Sequence, residues 1–265
     1  DEIVRKDIRI GDIVTVERAG DVIPHVISVN LKKRKNYSKK FIFPKKCPSC
    51  GLLTVKDYNE TTKKEDAVRR CVSDGYECKK IAVEKIKHFV SKEAFNIDGL
   101  GKKIVENFYE LKLITHPQDI FKLNYSKIKN LEGWGDLSSS NLKYSIEQKK
   151  KISLDKFIYS LGIRHIGQEN AKLLGRHLKS SDNFFKLSEN KDMKDLTNID
   201  GIGETQINSI KKFFLNKKNL EVLYSLKKIL KISNITQVNQ SGMLKNKTFM
   251  FTGKLNGISR AEAKS

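Results

Sequence analysis

Apolar and polar positions follow different periods in different stretches of the chain. In residues 1–29 the β-branched runs Ile13-Val14-Thr15-Val16 and Val22-Ile23-Pro24-His25-Val26-Ile27 flank Ala19-Gly20-Asp21 and predict two strands about a turn. Two strands are too few to close a sheet, so earlier strands are expected outside this sequence. From 79 to about 232 the period becomes helical: Ile81, Ile86, Phe89 and Val90 recur at helical spacing, as do Ile104, Val105, Phe108 and Leu111. Pro117 is the one proline in this half. Residues 233–242 are polar and turn-rich, which predicts a linker. Lys247-Thr248-Phe249-Met250-Phe251-Thr252-Gly253 then reads as a strand running into a glycine turn, with Ser259 placed to cap a further helix.

The helical half repeats. Ile97-Asp98-Gly99-Leu100-Gly101 returns as Leu131-Glu132-Gly133-Trp134-Gly135 and as Ile199-Asp200-Gly201-Ile202-Gly203. A looser copy is Ile163-Arg164-His165-Ile166-Gly167, with histidine in the place of the first glycine. The second glycines stand 34, 32 and 36 residues apart, a near-constant period that marks repeated supersecondary units. In each copy an apolar residue ends one helix, glycines permit a tight turn, and the next helix starts at once with unpaired N–H groups. Backbone donors at the positive end of a helix dipole form an anion site. Lys102 and Lys103 follow the first turn, and Arg164 lies inside the third. This is the helix-hairpin-helix pattern, which grips sugar-phosphate backbone and reads no base. The alternative for any single copy is an αα-turn that needs glycine only for its geometry.

Charge changes the picture of what the repeats contact. The 265 residues hold 52 Lys+Arg against 31 Asp+Glu, a formal net charge of +21. Such an excess repels itself unless a polyanion is the partner, and duplex nucleic acid is the first candidate. The competing explanations are a compositional drift toward lysine and a basic membrane-surface role. No stretch approaches the ~18 consecutive apolar residues of a spanning helix, and no signal peptide opens the chain. A cytoplasmic monomer is expected. The start at Asp1 and the stop at Ser265 point to a fragment. An apolar fraction of 38% favours several small modules over one large core.

All four cysteines, Cys47, Cys50, Cys71 and Cys78, fall within 32 residues. Cys47-Pro48-Ser49-Cys50-Gly51 has the form of a knuckle that points two thiolates at one metal, and a second, remote pair completes a closed four-sulfur site of the structural zinc type. A redox dithiol, a disulfide or free thiols are the other readings, and the spacing of the second pair is wider than usual. The five histidines are scattered, with no ligand or catalytic spacing. Trp134 is read either as a side chain inserting at a groove or as packed core. No Lys-x-Asp-Gly occurs: the residues two before Asp74, Asp98 and Asp200 are Val72, Asn96 and Asn198. Walker A and dinucleotide fingerprints are absent as well. No catalytic residue is therefore assigned.

The order of these parts resembles one family. Gly11-Asp12-Ile13-Val14-Thr15-Val16-Glu17-Arg18-Ala19-Gly20-Asp21-Val22-Ile23-Pro24 is similar to the oligonucleotide-binding (OB) barrel segment of bacterial NAD-dependent DNA ligases. The cysteine finger follows, then His88-Phe89-Val90-Ser91-Lys92-Glu93-Ala94-Phe95-Asn96-Ile97-Asp98-Gly99-Leu100-Gly101. Leu161-Gly162-Ile163-Arg164 with Ile166-Gly167 resembles the family's third hairpin, and Lys247–Leu255 resembles the opening of a BRCT domain. The resemblance implies a multidomain chain: 1–40 as the end of the OB domain with a basic linker, 41–80 as a four-cysteine zinc finger, and 81–232 as a mainly α domain of four hairpins. Residues 233–242 are then a linker, and 243–265 a truncated α/β BRCT start. It further implies an enzyme sealing 3′-hydroxyl/5′-phosphate nicks in duplex DNA, with NAD and Mg2+ held outside this chain by a missing adenylation domain. Gly99, Gly101, Gly133, Gly135, Gly167, Gly201 and Gly203 become backbone-phosphate contacts, and the four cysteines become zinc ligands. The competing class is a non-enzymatic repair scaffold of tandem hairpins; the segments at 11–24 and 247–255 argue against it.

Overall fold

The computed structural model describes residues 2–19, 23–59, 62–73, 75–189 and 193–235. The turn expected at Gly20, the strand at 247–253, the cap at Ser259 and the BRCT-like segment 243–265 lie outside the described residues.

The chain opens with a single turn, α1 (Glu2–Arg5), and the two expected strands, β1 (Val14–Ala19) and β2 (Ile23–Val29). They pair antiparallel, with Val14 opposite Val29 and a register shift between Thr15 and Val16. They form a two-stranded sheet, and Val16, Ile23 and Ile27 remain exposed. No barrel is closed by the described residues. The basic stretch beyond β2 is not wholly solvated, as expected of a linker. Arg34 turns back onto the start of the chain, where its guanidinium meets Asp12 at 2.7 and 2.9 Å and Asp7 at 2.7 Å. Within the cysteine module, β3 (Thr54–Asn59) and β4 (Lys64–Cys71) form an antiparallel ribbon with Thr54 opposite Cys71.

The helical half packs as its periodicity requires. In α2 (Lys79–Val90) the spacing buries Ala82, Val83, Ile86, Phe89 and Val90. There follow α3 (Lys102–Glu110), a 3-10 turn Pro117–Lys122, α4 (Tyr125–Ile128) and α5 (Asp136–Gln148). Next come α6 (Leu154–Ser160), α7 (Gln168–Leu178), α8 (Ser181–Lys186), a 3-10 turn Lys194–Asn198, α9 (Glu204–Leu215) and α10 (Lys217–Ile229). One hydrophobic cluster runs through all of it, from Ile86 to Leu230, with Phe89, Phe108, Phe157 and Phe184 at its centre. Two short strands were not foreseen: β5 (Lys151–Ser153) and β6 (Lys231–Ser233), identical Lys-Ile-Ser triplets, pair parallel. Residues at the start of the predicted linker are therefore structural, and Ile235 still packs against the core.

Candidate nucleic-acid interface and thiolate centre

The cysteine knuckle forms because Gly51 turns at φ +74° and its N–H donates to the Cys47 carbonyl at 2.8 Å. The Cys47 N–H in turn donates to the Leu52 carbonyl at 2.7 Å. The ribbon returns the chain so that Cys71, its last residue, faces the knuckle. Cys78 then caps α2, which explains the wide spacing of the second pair: Ser73 donates to Glu77 at 2.7 Å inside the loop, and the helix start delivers the thiol. The four sulfurs lie within 4.8 Å of one another. Cys47 and Cys78 are 3.9 Å apart, Cys50 and Cys71 3.5 Å. A disulfide needs about 2.05 Å, whereas a tetrahedron of sulfurs about a metal at ~2.3 Å has edges of ~3.8 Å. The arrangement can hold one tetrahedral metal ion. The amides of Ser49 and then Cys50 pull the Cys47 thiol down to about 7.

The four glycine turns share one geometry. The N–H of Leu100, Trp134, Ile166 and Ile202 donates to the carbonyl of Ile97, Leu131, Ile163 and Ile199, respectively, at 3.0–3.3 Å. The third residue of each turn has positive φ: Gly99 +88°, Gly133 +77°, His165 +61° and Gly201 +86°. His165 thus adopts the backbone of the glycine it replaces, and its Nδ1 lies 3.0 Å from Ser209 Oγ. The apolar pairs Ile97/Leu100, Ile163/Ile166 and Ile199/Ile202 are buried and root each turn in the core. Gly101, Gly167 and Gly203 are exposed and Gly135 half-buried. Each is the N-cap of the following helix, α3, α5, α7 or α9.

Three of these four N-cap glycines have no internal steric reason to be glycine, whereas at Gly203 an added Cβ would crowd Gln206 Oε1 at 3.3 Å. Their φ values are negative, from −66° to −158°, and a Cβ on Gly101, Gly135 or Gly167 would meet nothing within 4 Å. The turns differ in how they use the N-cap amide. Ser138 accepts from the Gly135 N–H at 2.9 Å and Gln206 from the Gly203 N–H at 3.2 Å. In α3 that position holds apolar Ile104, and in α7 Asn170 donates instead to the His165 carbonyl at 3.0 Å. α5, α7 and α9 carry an acid in the first turn, whereas α3 has none and begins Lys102-Lys103, both exposed. Cations beside the positive pole of a helix are unfavourable alone and favourable with an anion between them. Of the four helix starts, that of α3 alone combines lysines with no acidic residue in its first turn.

Arg164, a candidate for phosphate contact, is paired instead with the ribbon. It forms an ion pair with Asp57 and approaches Asp66 at 3.7 Å. Arg70 meets the same two carboxylates. The four groups join the finger to the third turn, along a cleft of about 1100 Å3 that also borders α9. This network escaped sequence reading, because nothing in the spacing of 57, 66, 70 and 164 links them. Trp134 is half-buried with its ring 5.3 Å from that of Phe108, a packed side chain more than a projecting one. Among the described residues no helix is long and apolar enough to cross a membrane.

Repeated turns that each open a helix, beside a four-thiolate centre, form the kind of module that can meet an anionic backbone. Comparison with known proteins narrows the class. Residues 1–38 match the profile of the NAD-dependent DNA ligase OB-fold domain, and residues 156–223 that of the helix-hairpin-helix motif. All of the chain aligns with the DNA ligase of Pelagibacter ubique (strain HTCC1062) at 74% identity, covering 39% of that protein. It aligns at 43% with the DNA ligase of Wolbachia pipientis subsp. Culex pipiens (strain wPip), covering 40%, and at 40% with that of Afipia carboxidovorans, covering 39%. The chain is similar over its whole length to these DNA ligases and spans about two fifths of the length of the curated relatives it matches.

Proposed function

We propose that this chain is the DNA-gripping portion of an NAD-dependent DNA ligase, an enzyme sealing 3′-hydroxyl/5′-phosphate nicks during replication and repair. Its partners are nicked duplex DNA and the adenylation domain of the same enzyme, and it works as a cytoplasmic monomer at the nucleoid. NAD and Mg2+ act at sites outside it. The layout we read is OB end and basic linker at 1–40, finger at 41–80, hairpin domain at 81–232, linker at 233–242, of which Ser233 and Ile235 pack with the hairpin domain, and BRCT start at 243–265. Cys47, Cys50, Cys71 and Cys78 hold one structural zinc, which leaves no open coordination position for catalysis. Gly99, Gly101, Gly133, Gly135, Gly167, Gly201 and Gly203, with Lys102 and Lys103, take the phosphate backbone. Arg164 joins them only where phosphate displaces Asp57 and Asp66.

One observation carries this reading: three N-cap glycines, Gly101, Gly135 and Gly167, whose missing Cβ matters to nothing inside the protein. The space left empty at Gly101, Gly135 and Gly167 is then space for an approaching backbone. The first N–H groups of a helix lack partners within it and lie beside that space, and a net charge of +21 supplies the attraction. The test is equilibrium binding to nicked duplex over a range of salt. Contact with ~6–8 phosphates gives a slope of log K against log[salt] of roughly −5 to −7. A shallow slope, or discrimination between unrelated sequences, contradicts it. Covalent adenylylation needs an activated lysine, and no lysine here stands in Lys-x-Asp-Gly. Incubation with labelled NAD should leave the isolated chain unlabelled on a denaturing gel.

A further inference from the structure

The segment between the strands and the finger is held at both ends. At its start Arg9 donates to the Ser38 carbonyl at 2.7 Å. At its end the Thr54 hydroxyl donates to the Pro44 carbonyl and the Thr54 N–H to the Lys45 carbonyl, each at 2.8 Å. Between these anchors, among the described residues, Lys39 to Phe43 make no backbone hydrogen bond. The rings of Phe41 and Phe43 pack edge-on at 4.8 Å, and Ile42 between them is 83% exposed. Two lysine pairs, Lys39-Lys40 and Lys45-Lys46, flank this apolar tip. From Val22 to Lys56 the chain holds nine Lys and Arg and no Asp or Glu.

The exposed apolar residues of β1 and β2 lie within the matched OB segment, residues 1–38. Lys39 to Lys46 lie outside it and outside the matched hairpin segment, 156–223. A tethered apolar tip between two cationic pairs fits one surface in particular. Proteins that enter the minor groove place an apolar wedge against its floor and cations on the phosphates at its rims. We propose that Lys39–Lys46 is a minor-groove wedge for duplex DNA, with Ile42 at the groove floor and the two lysine pairs on the flanking phosphates. The proposal rests on the DNA-gripping reading above and adds a contact that the hairpins do not supply.

The test measures duplex affinity at several salt concentrations for the 265-residue chain, Ile42→Ser, and Lys45→Gln/Lys46→Gln, with zinc content and helicity confirming each fold. Ile42 is exposed, so its substitution leaves the fold alone. The wedge predicts that Ile42→Ser weakens binding roughly 10-fold at every salt, because burial of its side chain is lost, while the salt slope stays as in the parent. The lysine pair should flatten the slope by about 1.8, at ~0.9 per phosphate contact. If Ile42→Ser binds as the parent does while the lysine variant flattens the slope, the segment touches phosphates alone and the wedge is wrong. If both variants bind as the parent does, the segment is off the DNA and the proposal fails. If the parent chain itself does not bind duplex, the DNA-gripping reading fails first and takes the wedge with it.

Discussion

The two halves of this chain are held together by different physics. Every buried apolar side chain among the described residues belongs to Cys78 or beyond, and almost all of them to the single cluster of the helical half. Residues before Cys78, among those described, bury no apolar side chain fully, and of them Tyr76 alone packs part-buried against that cluster. Their order comes from ion pairs about Arg34, from two hairpins, and from four thiols gathered at one point. A hydrophobic core is indifferent to salt, acid and chelator over wide ranges, whereas charge and metal ligation are not. The front of the molecule should therefore loosen under conditions that leave the hairpin domain intact.

The largest separation of the halves comes from the thiolate centre. Cys71→Ser should abolish metal binding and disorder the ribbon, since structural zinc contributes on the order of 10–16 kcal/mol to forming its site. Helicity over residues 90–230 should persist. Metal analysis with circular dichroism reads both at once, and a loss of helicity in step with the metal would erase the distinction. The reciprocal change is Phe157→Ala, whose ring packs near Phe184 and Phe185. It should destabilise the helical half by about 3–5 kcal/mol and leave the metal stoichiometry unchanged.

Smaller effects sharpen the account. Hydrogen bonds from Arg9 and then Arg34 hold the Asp7 carboxyl at about 2. A folded value below the unfolded one stabilises above the ordinary carboxylate range, near ~4, and that contribution fades as pH falls toward 2. Arg34→Ala should raise the Asp7 titration midpoint and make residues 30–38 more sensitive to protease at neutral pH. An unmoved midpoint would mean that Arg9 alone suffices. The smallest effect belongs to His165→Gly. It removes a positive-φ side chain and one bond to Ser209, so stability should shift by less than about 1 kcal/mol. A large loss would show that His165 has a role beyond filling the glycine position.

Much of this was readable from residues alone, and the gaps have a common cause. The four turns announced themselves because Ile97, Gly99, Leu100 and Gly101 and their counterparts are neighbours in sequence, and so are their constraints. The knuckle at Cys47 and Cys50 was legible for the same reason. What could not be read joins distant positions: Arg34 with Asp7 and Asp12, Arg164 with Asp57 and Asp66, and Lys151–Ser153 with Lys231–Ser233. Among 52 basic residues no local pattern says which will find a carboxylate. A three-residue strand has too few positions to show a period. The backbone of His165 was hidden too, because histidine seldom takes positive φ and its context alone demanded it.

The central claim is that the N-cap glycines are glycine for the sake of DNA, and Gly101 tests it most directly. Its φ of −66° suits any residue and its Cβ position is open, so Gly101→Val should fold with a stability cost of about 1 kcal/mol or less. On the proposed function the new side chain would stand where a phosphate approaches the one helix start of the four that has lysines and no acid in its first turn. The account predicts that duplex binding falls at least about 10-fold, equivalent to ~1.4 kcal/mol, in a protein with unchanged zinc content and helicity. Binding equal to that of the parent, in an equally folded protein, would show that these turns are ordinary helix connections and that the DNA is held elsewhere.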